Sequence, residues 1–83
     1  MISYEMAVDK ASRLLHYSVD DAVRHSEVLP DAIGFRFWVP SRGGGVILMD
    51  LEGAVLFANS SLNDDEHLRL FLEGKRTPEE LFS

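Results

Sequence analysis

The chain has 83 residues, of which 46% are hydrophobic and 27% charged, a composition typical of a soluble globular domain and not of a disordered segment. Fourteen acidic residues against eight basic ones give a net charge of −6, which disfavours binding to the phosphate backbone of a nucleic acid. The absence of cysteine excludes disulfide bonds and cysteine catalysis.

No segment of the sequence has the character of a secretion signal or a membrane span. The first residues lack a basic segment, and the longest uninterrupted apolar run, residues 54–58, is far too short to cross a bilayer. A small fold without disulfide bonds also suits a reducing compartment. We therefore expect a cytoplasmic protein whose partner is neither a membrane nor a nucleic acid.

The first predicted element is a helix that begins after Ser3, a good N-cap residue. Its apolar positions recur every three or four residues and form one stripe that can be buried: Tyr4, Ala7, Val8, Ala11, Leu14 and Leu15. Residues 18–29 are compatible with two structures. Ser18 and Asp21 can cap a short helix, whereas residues 22–28 can form an edge strand, and the sequence leaves the choice open.

Apolar residues then alternate with a period of two, which predicts a strand over residues 33–39. Phe35 and Phe37 lie on one face of this strand, and Arg36 and Trp38 lie on the other. The two faces of the strand are therefore expected to meet different surroundings.

Two more strands are predicted at residues 46–49 and 54–58, after turns at residues 41–45 and 50–53. Connections this short join antiparallel neighbours, so the strands form a meander. Both alternations in these two strands are apolar, which is typical of strands that are buried on both faces.

A C-terminal helix follows the strands and ends at Gly74, which can adopt the left-handed conformation of a helix stop. The capping pairs that the sequence allows are Asn63 with Glu66 and Ser61 with Asp64. The residues expected to face the core are Leu68, Phe71 and Leu72. Residues 77–80, Thr-Pro-Glu-Glu, have the pattern of a capping box that opens a last helical turn.

These elements predict one α+β domain over residues 1–83: an antiparallel three- or four-stranded meander packed on an N-terminal and a C-terminal helix. We expect its main side chains to form a single core: Leu14, Leu15, Phe35, Phe37, Leu68 and Phe71. Two helices cover about one face of such a sheet. The other face then needs a cover, which is either residues 18–29, the C-terminal turn, a second copy or another protein.

Catalytic, cofactor and metal motifs are missing from the sequence. Glycines 43–45 lie between two strands, whereas phosphate-binding loops lie between a strand and a helix. The three histidines lack the spacing of metal ligands, and acidic residues 64–66 are explained by the dipole of the helix that they open. We therefore predict a protein that is not an enzyme and that binds no cofactor or metal ion.

The remaining features indicate protein binding. Residues 1–42 carry five basic and six acidic residues, whereas residues 43–83 carry three and eight, so the second half has the excess of negative charge. This half is expected to face a basic partner. Trp and Arg are enriched in protein interfaces, and the uncovered sheet face adds apolar surface beside them. The predicted binding residues are Arg36, Trp38, Met49, Asp64 and Asp65.

Several of these segments, in this order, resemble the immunity protein 35 family: residues 1–7 of the first helix, the aromatic strand Gly-Phe-Arg-Phe-Trp, the turn at Gly53 and the helix at residues 68–72. Members of that family are small bacterial proteins implied to neutralise toxins delivered between competing cells. The resemblance implies a toxin as the basic partner and carries over no functional residue. The alternative function is that of a structural or regulatory homo-oligomer, such as a homodimer, that assembles through the apolar sheet face.

Overall fold

The computed structural model describes residues 1–40, 44–59 and 62–82. In chain order its elements are α1 (Tyr4–Leu15), α2 (Val19–Arg24), β1 (Ser26–Val28), a 3₁₀ turn (Pro30–Ala32), β2 (Gly34–Trp38), β3 (Val46–Asp50), β4 (Val55–Ala58), α3 (Asp64–Leu72) and a second 3₁₀ turn (Glu79–Phe82). The strands form one antiparallel four-stranded sheet in the order β1-β2-β3-β4. This confirms the predicted α+β meander with a helix at each end of the chain. Within the described ranges, no helix combines the length and the apolar character needed to span a membrane.

Each long helix begins at a side chain that caps it. The Ser3 hydroxyl accepts a hydrogen bond from the Met6 amide, and the Asn63 side chain accepts one from the Glu66 amide. The other pair proposed for α3 rests on Ser61, which lies outside the described residues. At the far end of α3, Gly74 has a φ of 94°, as expected for a left-handed stop.

The two structures that the sequence allows for residues 18–29 both occur, one after the other. The Ser18 side chain accepts a hydrogen bond from the Asp21 amide and opens the short helix α2. The chain then enters β1 at the edge of the sheet, where Glu27 lies opposite Arg36 of β2. One residue, His25, separates α2 from β1.

The sheet is buried on both faces, and each face has its own core. On one face, α1 and α2 cover a set of fully buried strand residues that includes Phe37, Ile47 and Met49. On the opposite face, α3 brings Phe71 against Leu48 of β3 and against a second leucine in β4. The apolar alternation of β3 therefore has a structural explanation within the chain itself, and so does that of β4 except at Phe57, which is 41% exposed.

The prediction of a single core is wrong. Leu14, Leu15 and the two β2 phenylalanines pack on the α1 side, whereas Leu68 and Phe71 pack on the α3 side. Alternate residues of a strand point to opposite faces, so helices on opposite sides of the sheet cannot share one cluster. The third predicted core residue of α3 was also placed wrongly, because Leu72 is 64% exposed.

The C-terminal segment lies along the outer edge of β4. The Thr77 amide donates to the Val55 carbonyl (2.7 Å), and the Phe57 amide donates to the Thr77 hydroxyl (2.9 Å). Thr77 was expected to cap a final turn, but its hydroxyl instead occupies a backbone donor of the sheet. This edge is therefore closed against pairing with another strand.

Arg76 anchors the same segment to the turn between β3 and β4. Its Nε donates to Asp50 (2.9 Å), and its guanidinium stacks over the ring of Phe71 at 4.1 Å. Burial alone would raise the pKa of Asp50, but hydrogen bonds from Arg76 and from the amides of Ala54 and Glu52 hold that pKa below its usual value. The ionised carboxylate thus ties the C-terminal segment to the sheet.

Candidate functional site

A groove of about 190 Å³ lies between β1, β2 and the first turn of α3. Its floor is apolar and is formed in part by Leu48 and Leu68. Five polar or charged side chains line the rest of it: Glu27, Arg36, Asp64, Asp65 and His67. We name this feature the acidic groove.

Local sequence rules explain why these side chains converge. Alternation along β2 turns Arg36 away from its phenylalanine neighbours and towards α3. Pairing of β1 with β2 places Glu27 directly opposite Arg36. The Asn63 cap starts α3 at Asp64, so the first helical residues stand at the rim of the groove.

Arg36 is the central residue of the acidic groove. Its Nη1 donates to Oε1 of Glu27 (3.0 Å), and its Nη2 donates to Oδ1 of Asp64 (2.9 Å). Its guanidinium also lies 5.0 Å from the centre of the Trp38 ring. The side chain is only 21% exposed, so it is held in one position by contacts to β1, β2 and α3.

The charges of the acidic groove do not balance. Three carboxylates surround one guanidinium, an excess of two negative charges, and Asp65 forms no ion pair with any described residue. The dipole of α3 offsets about half a charge at its N-terminus, which leaves the groove negative. A cationic side chain is the ligand that such a groove suits.

His67 closes the inner end of the acidic groove. It is 2% exposed, and its Nε2 donates to the Leu56 carbonyl (2.8 Å). Burial lowers the pKa of His67, and the nearby Arg36 charge lowers it further, against the opposing effects of the Leu56 carbonyl and Asp64. The imidazole is therefore neutral at physiological pH, so it adds no positive charge to the groove.

The structure brings four of the five predicted binding residues together. Arg36, Asp64 and Asp65 line the acidic groove, and Trp38 contacts the Arg36 guanidinium at its side. The choice of Met49 was wrong, because Met49 has no exposed surface and lies beneath α1 and α2 on the opposite face. The apolar sheet face expected to join a second copy is thus covered by the chain's own helices.

Sequence reasoning missed two residues of the acidic groove. Glu27 lies in the segment whose structure was left open, so its place opposite Arg36 could not be inferred. His67 was counted among scattered histidines, although it precedes the buried Phe71 by four residues and so lies on the same face of α3. That spacing was the signal that could have identified it.

A second hollow of about 410 Å³ lies along the outer side of α1. Its charged lining consists of two acids and two bases: Glu5, Asp9, Lys10 and Arg13. Arg13 pairs with Asp9 (3.0 Å), and Lys10 Nζ donates to the Gly53 carbonyl (2.6 Å). These charges cancel, so this hollow offers less to a charged partner than the acidic groove does.

The described residues include no group of three or more histidine, aspartate or glutamate side chains that could hold a metal ion. Comparison with family models gave no match, and comparisons with curated proteins and with solved structures gave none either. The geometry and charge of the acidic groove are therefore the basis on which a function can be argued.

Proposed function

We propose that this protein is a non-catalytic protein-binding module that acts as an immunity-type inhibitor, and that it binds a basic toxin through the acidic groove. The observation that carries the proposal is the excess of two negative charges around a groove whose central cation, Arg36, is already held by two carboxylates. A lysine or arginine side chain of the partner enters this groove and pairs with Asp65.

The arrangement of the groove supports a binding role because its side chains are ordered before the partner arrives. Arg36 fixes Glu27 and Asp64 on two different elements, which reduces the side-chain entropy lost on binding. Trp38 lies beside these charges and is only partly buried. Tryptophan and arginine are typical of the residues that dominate binding energy in protein interfaces.

The charge of the chain supports fast association with a basic partner. Asp64 and Asp65 of the acidic groove belong to residues 43–83, the half of the sequence that carries an excess of five negative charges. A field of this sign accelerates encounter with a positive surface, and dissolved salt screens it. Inhibitors that must act before a toxin reaches its target benefit from a high association rate.

Site-specific photo-cross-linking in the native cell extract tests where the partner binds. A photoreactive amino acid at Asp65 is compared with the same amino acid at Asp9, an exposed acid on α1 on the opposite face of the sheet. We expect a covalent adduct with a basic protein from position 65 only. Equal adducts with that protein from both positions, or adducts with it from position 9 alone, would overturn the choice of the groove.

Charge reversal then tests how the partner binds. The double variant D64K/D65K changes the charge of the groove, and the control D9K/E52K makes the same change in net charge at two exposed acids away from it. We expect the groove variant to lower the association rate at least tenfold at low salt, with less than a twofold effect for the control. Circular dichroism must show that α3 stays helical, because Asp64 and Asp65 also stabilise its first turn.

Co-expression tests the immunity-type part of the proposal. The captured partner is expressed alone and together with this chain in the same cells. We expect growth inhibition by the partner alone and recovery of growth when the parent chain is present, with recovery weakened by D64K/D65K. A partner that has no effect on growth would leave a binding module and remove the toxin from the proposal.

A further inference from the structure

The two edges of the sheet differ: among the residues that the structure describes, none covers the outer edge of β1 as the C-terminal segment covers that of β4. No described strand other than β2 pairs with β1. The Leu29 amide donates to the Gly34 carbonyl (2.9 Å). The backbone amides and carbonyls of the odd-numbered residues in this segment therefore point towards β2. The backbone amides and carbonyls of Ser26 and Val28 consequently point away from the sheet.

An apolar patch lies beside this open edge. Its four side chains are between 37% and 58% exposed: Tyr4, Val19, Val23 and Val28. Three of them, together with Val8 and Glu5, line a hollow of about 140 Å³ between α1 and α2. The Tyr4 hydroxyl is hydrogen-bonded to the Ser26 hydroxyl (2.6 Å), which fixes the patch to β1. We name this feature the valine patch.

Two charges of opposite sign flank the valine patch on α2. Asp20 lies in the first turn of the helix and Arg24 in the last, and both are exposed. Neither forms an ion pair with a described residue. If α2 meets an antiparallel copy of itself, each Asp20 comes opposite an Arg24, so the surface is complementary to itself in charge as well as in apolar character.

We propose that β1 pairs antiparallel with β1 of a second copy about a twofold axis, so that two four-stranded sheets become one continuous sheet. The amides and carbonyls of Ser26 and Val28 bond across the axis, and the two valine patches pack against each other on the α2 side. Glu27 points to the other side, where it is paired with Arg36 at 3.0 Å. A second copy fits better than a basic partner does, because it brings the same open edge, the same apolar surface and the matching charges.

Sedimentation equilibrium over 5–500 µM tests the proposal with one disruptive variant and a matched control. We expect the parent to approach twice its monomer mass of 9.3 kDa as the concentration rises. Val23→Glu, at a side chain 49% exposed in the monomer, should raise the dimer dissociation constant at least tenfold. Leu72→Glu places the same charge on exposed α3 and should change it less than twofold.

A charge exchange distinguishes this interface from any other arrangement. Asp20→Arg and Arg24→Asp should each raise the dissociation constant about fivefold or more, because each places like charges opposite one another. The double variant D20R/R24D should return it to within threefold of the parent, because the pair is then restored in reverse. Circular dichroism confirms that α2 persists in each variant.

Three results would overturn the proposal: a parent that stays monomeric at every concentration, a dimer indifferent to Val23→Glu, or a double exchange no better than its single changes. The groove variant D64K/D65K should leave the dissociation constant of the dimer unchanged within twofold. Failure of the dimer and failure of the acidic groove as a binding site are therefore distinguishable.

Discussion

The two faces of the sheet differ in what covers them. The face under α1 and α2 is closed by fully buried apolar side chains such as Phe37, Ile47 and Met49. The face under α3 has a smaller buried cluster and carries Arg36 and His67 beside it. The smaller cluster leaves room for the acidic groove, and the sheet separates that groove from the main core.

This difference teaches where changes in sequence are tolerated. Because strand residues alternate between faces, a substitution at Arg36 does not disturb the adjacent phenylalanines packed on the other side. The face under α1 and α2 can therefore provide most of the stability while the α3 face tolerates substitution. Four variants test this division, beginning with the largest expected effect.

Phe37→Ala should cause the largest loss of stability. The side chain is fully buried on the α1 face, and truncating a buried phenylalanine costs about 3 to 5 kcal/mol. A domain of this size has a free energy of unfolding of about 4 to 12 kcal/mol, so the substitution should remove a large part of it. Urea denaturation measures the loss. A loss below about 1 kcal/mol would contradict the importance of this face.

Phe71→Ala should cost about 3 kcal/mol, at the low end of the range for a buried phenylalanine. Its neighbours are fewer, and the Arg76 guanidinium, 4.1 Å from the ring, can move into the space that the ring leaves. The same urea titration compares it with Phe37→Ala. A loss larger than that of Phe37→Ala would reverse the ranking of the two faces.

The α3 face should also make stability depend on pH. The pKa of His67 is lowered from its ordinary value of 6.5, so the unfolded chain takes up a proton before the folded chain does. The free energy of unfolding is therefore at its full value above pH 6.5. It decreases as the pH falls through 6.5 towards the lowered pKa of the folded chain, with a slope of at most about 1.4 kcal/mol per pH unit for one proton.

The control for this dependence is His67→Gln, whose amide can still donate to the Leu56 carbonyl but does not titrate. Urea titrations of both proteins between pH 7.5 and 5 should show a shallower decline for the variant. Parallel declines would assign the pH dependence to other groups, since His16 and His25 are present in both proteins.

Arg36→Met should have the smallest effect on stability, within about 1 kcal/mol, because the two carboxylates that it releases are more than half exposed. The methionine retains an apolar stem beside Trp38. Thermal melts at low and high salt measure the change. A loss above about 2 kcal/mol would mean that the acidic groove contributes to the core and is not free to vary.

Much of the fold could be predicted because the determining signals are local. Ser3, Ser18 and Asn63 each cap the helix that was expected from them, and the strand spacing identified the meander. The side of the sheet that each helix covers is a tertiary property. Both alternations of β3 are apolar, so nothing in its sequence distinguishes the face of Met49 from the face of Leu48.

The candidate site was predicted only in part for the same reason. Charge and residue type pointed to Arg36, Asp64 and Asp65, which are distant in sequence and meet in the acidic groove. Glu27 joins them through the register between β1 and β2, which no local pattern encodes. His67 joins them because α3 lies on that face of the sheet.

The closure of β4 by Thr77 also has a consequence in time. Thr77 lies 19 residues beyond Ala58, the last residue of β4, and α3 lies between them. A hairpin forms in about 1 to 10 microseconds, whereas the contact of Thr77 with β4 also needs α3 to be in place. During folding, β3 and β4 can therefore pair while the outer edge of β4 is still open. In that interval the edge is exposed to pairing with another partly folded chain.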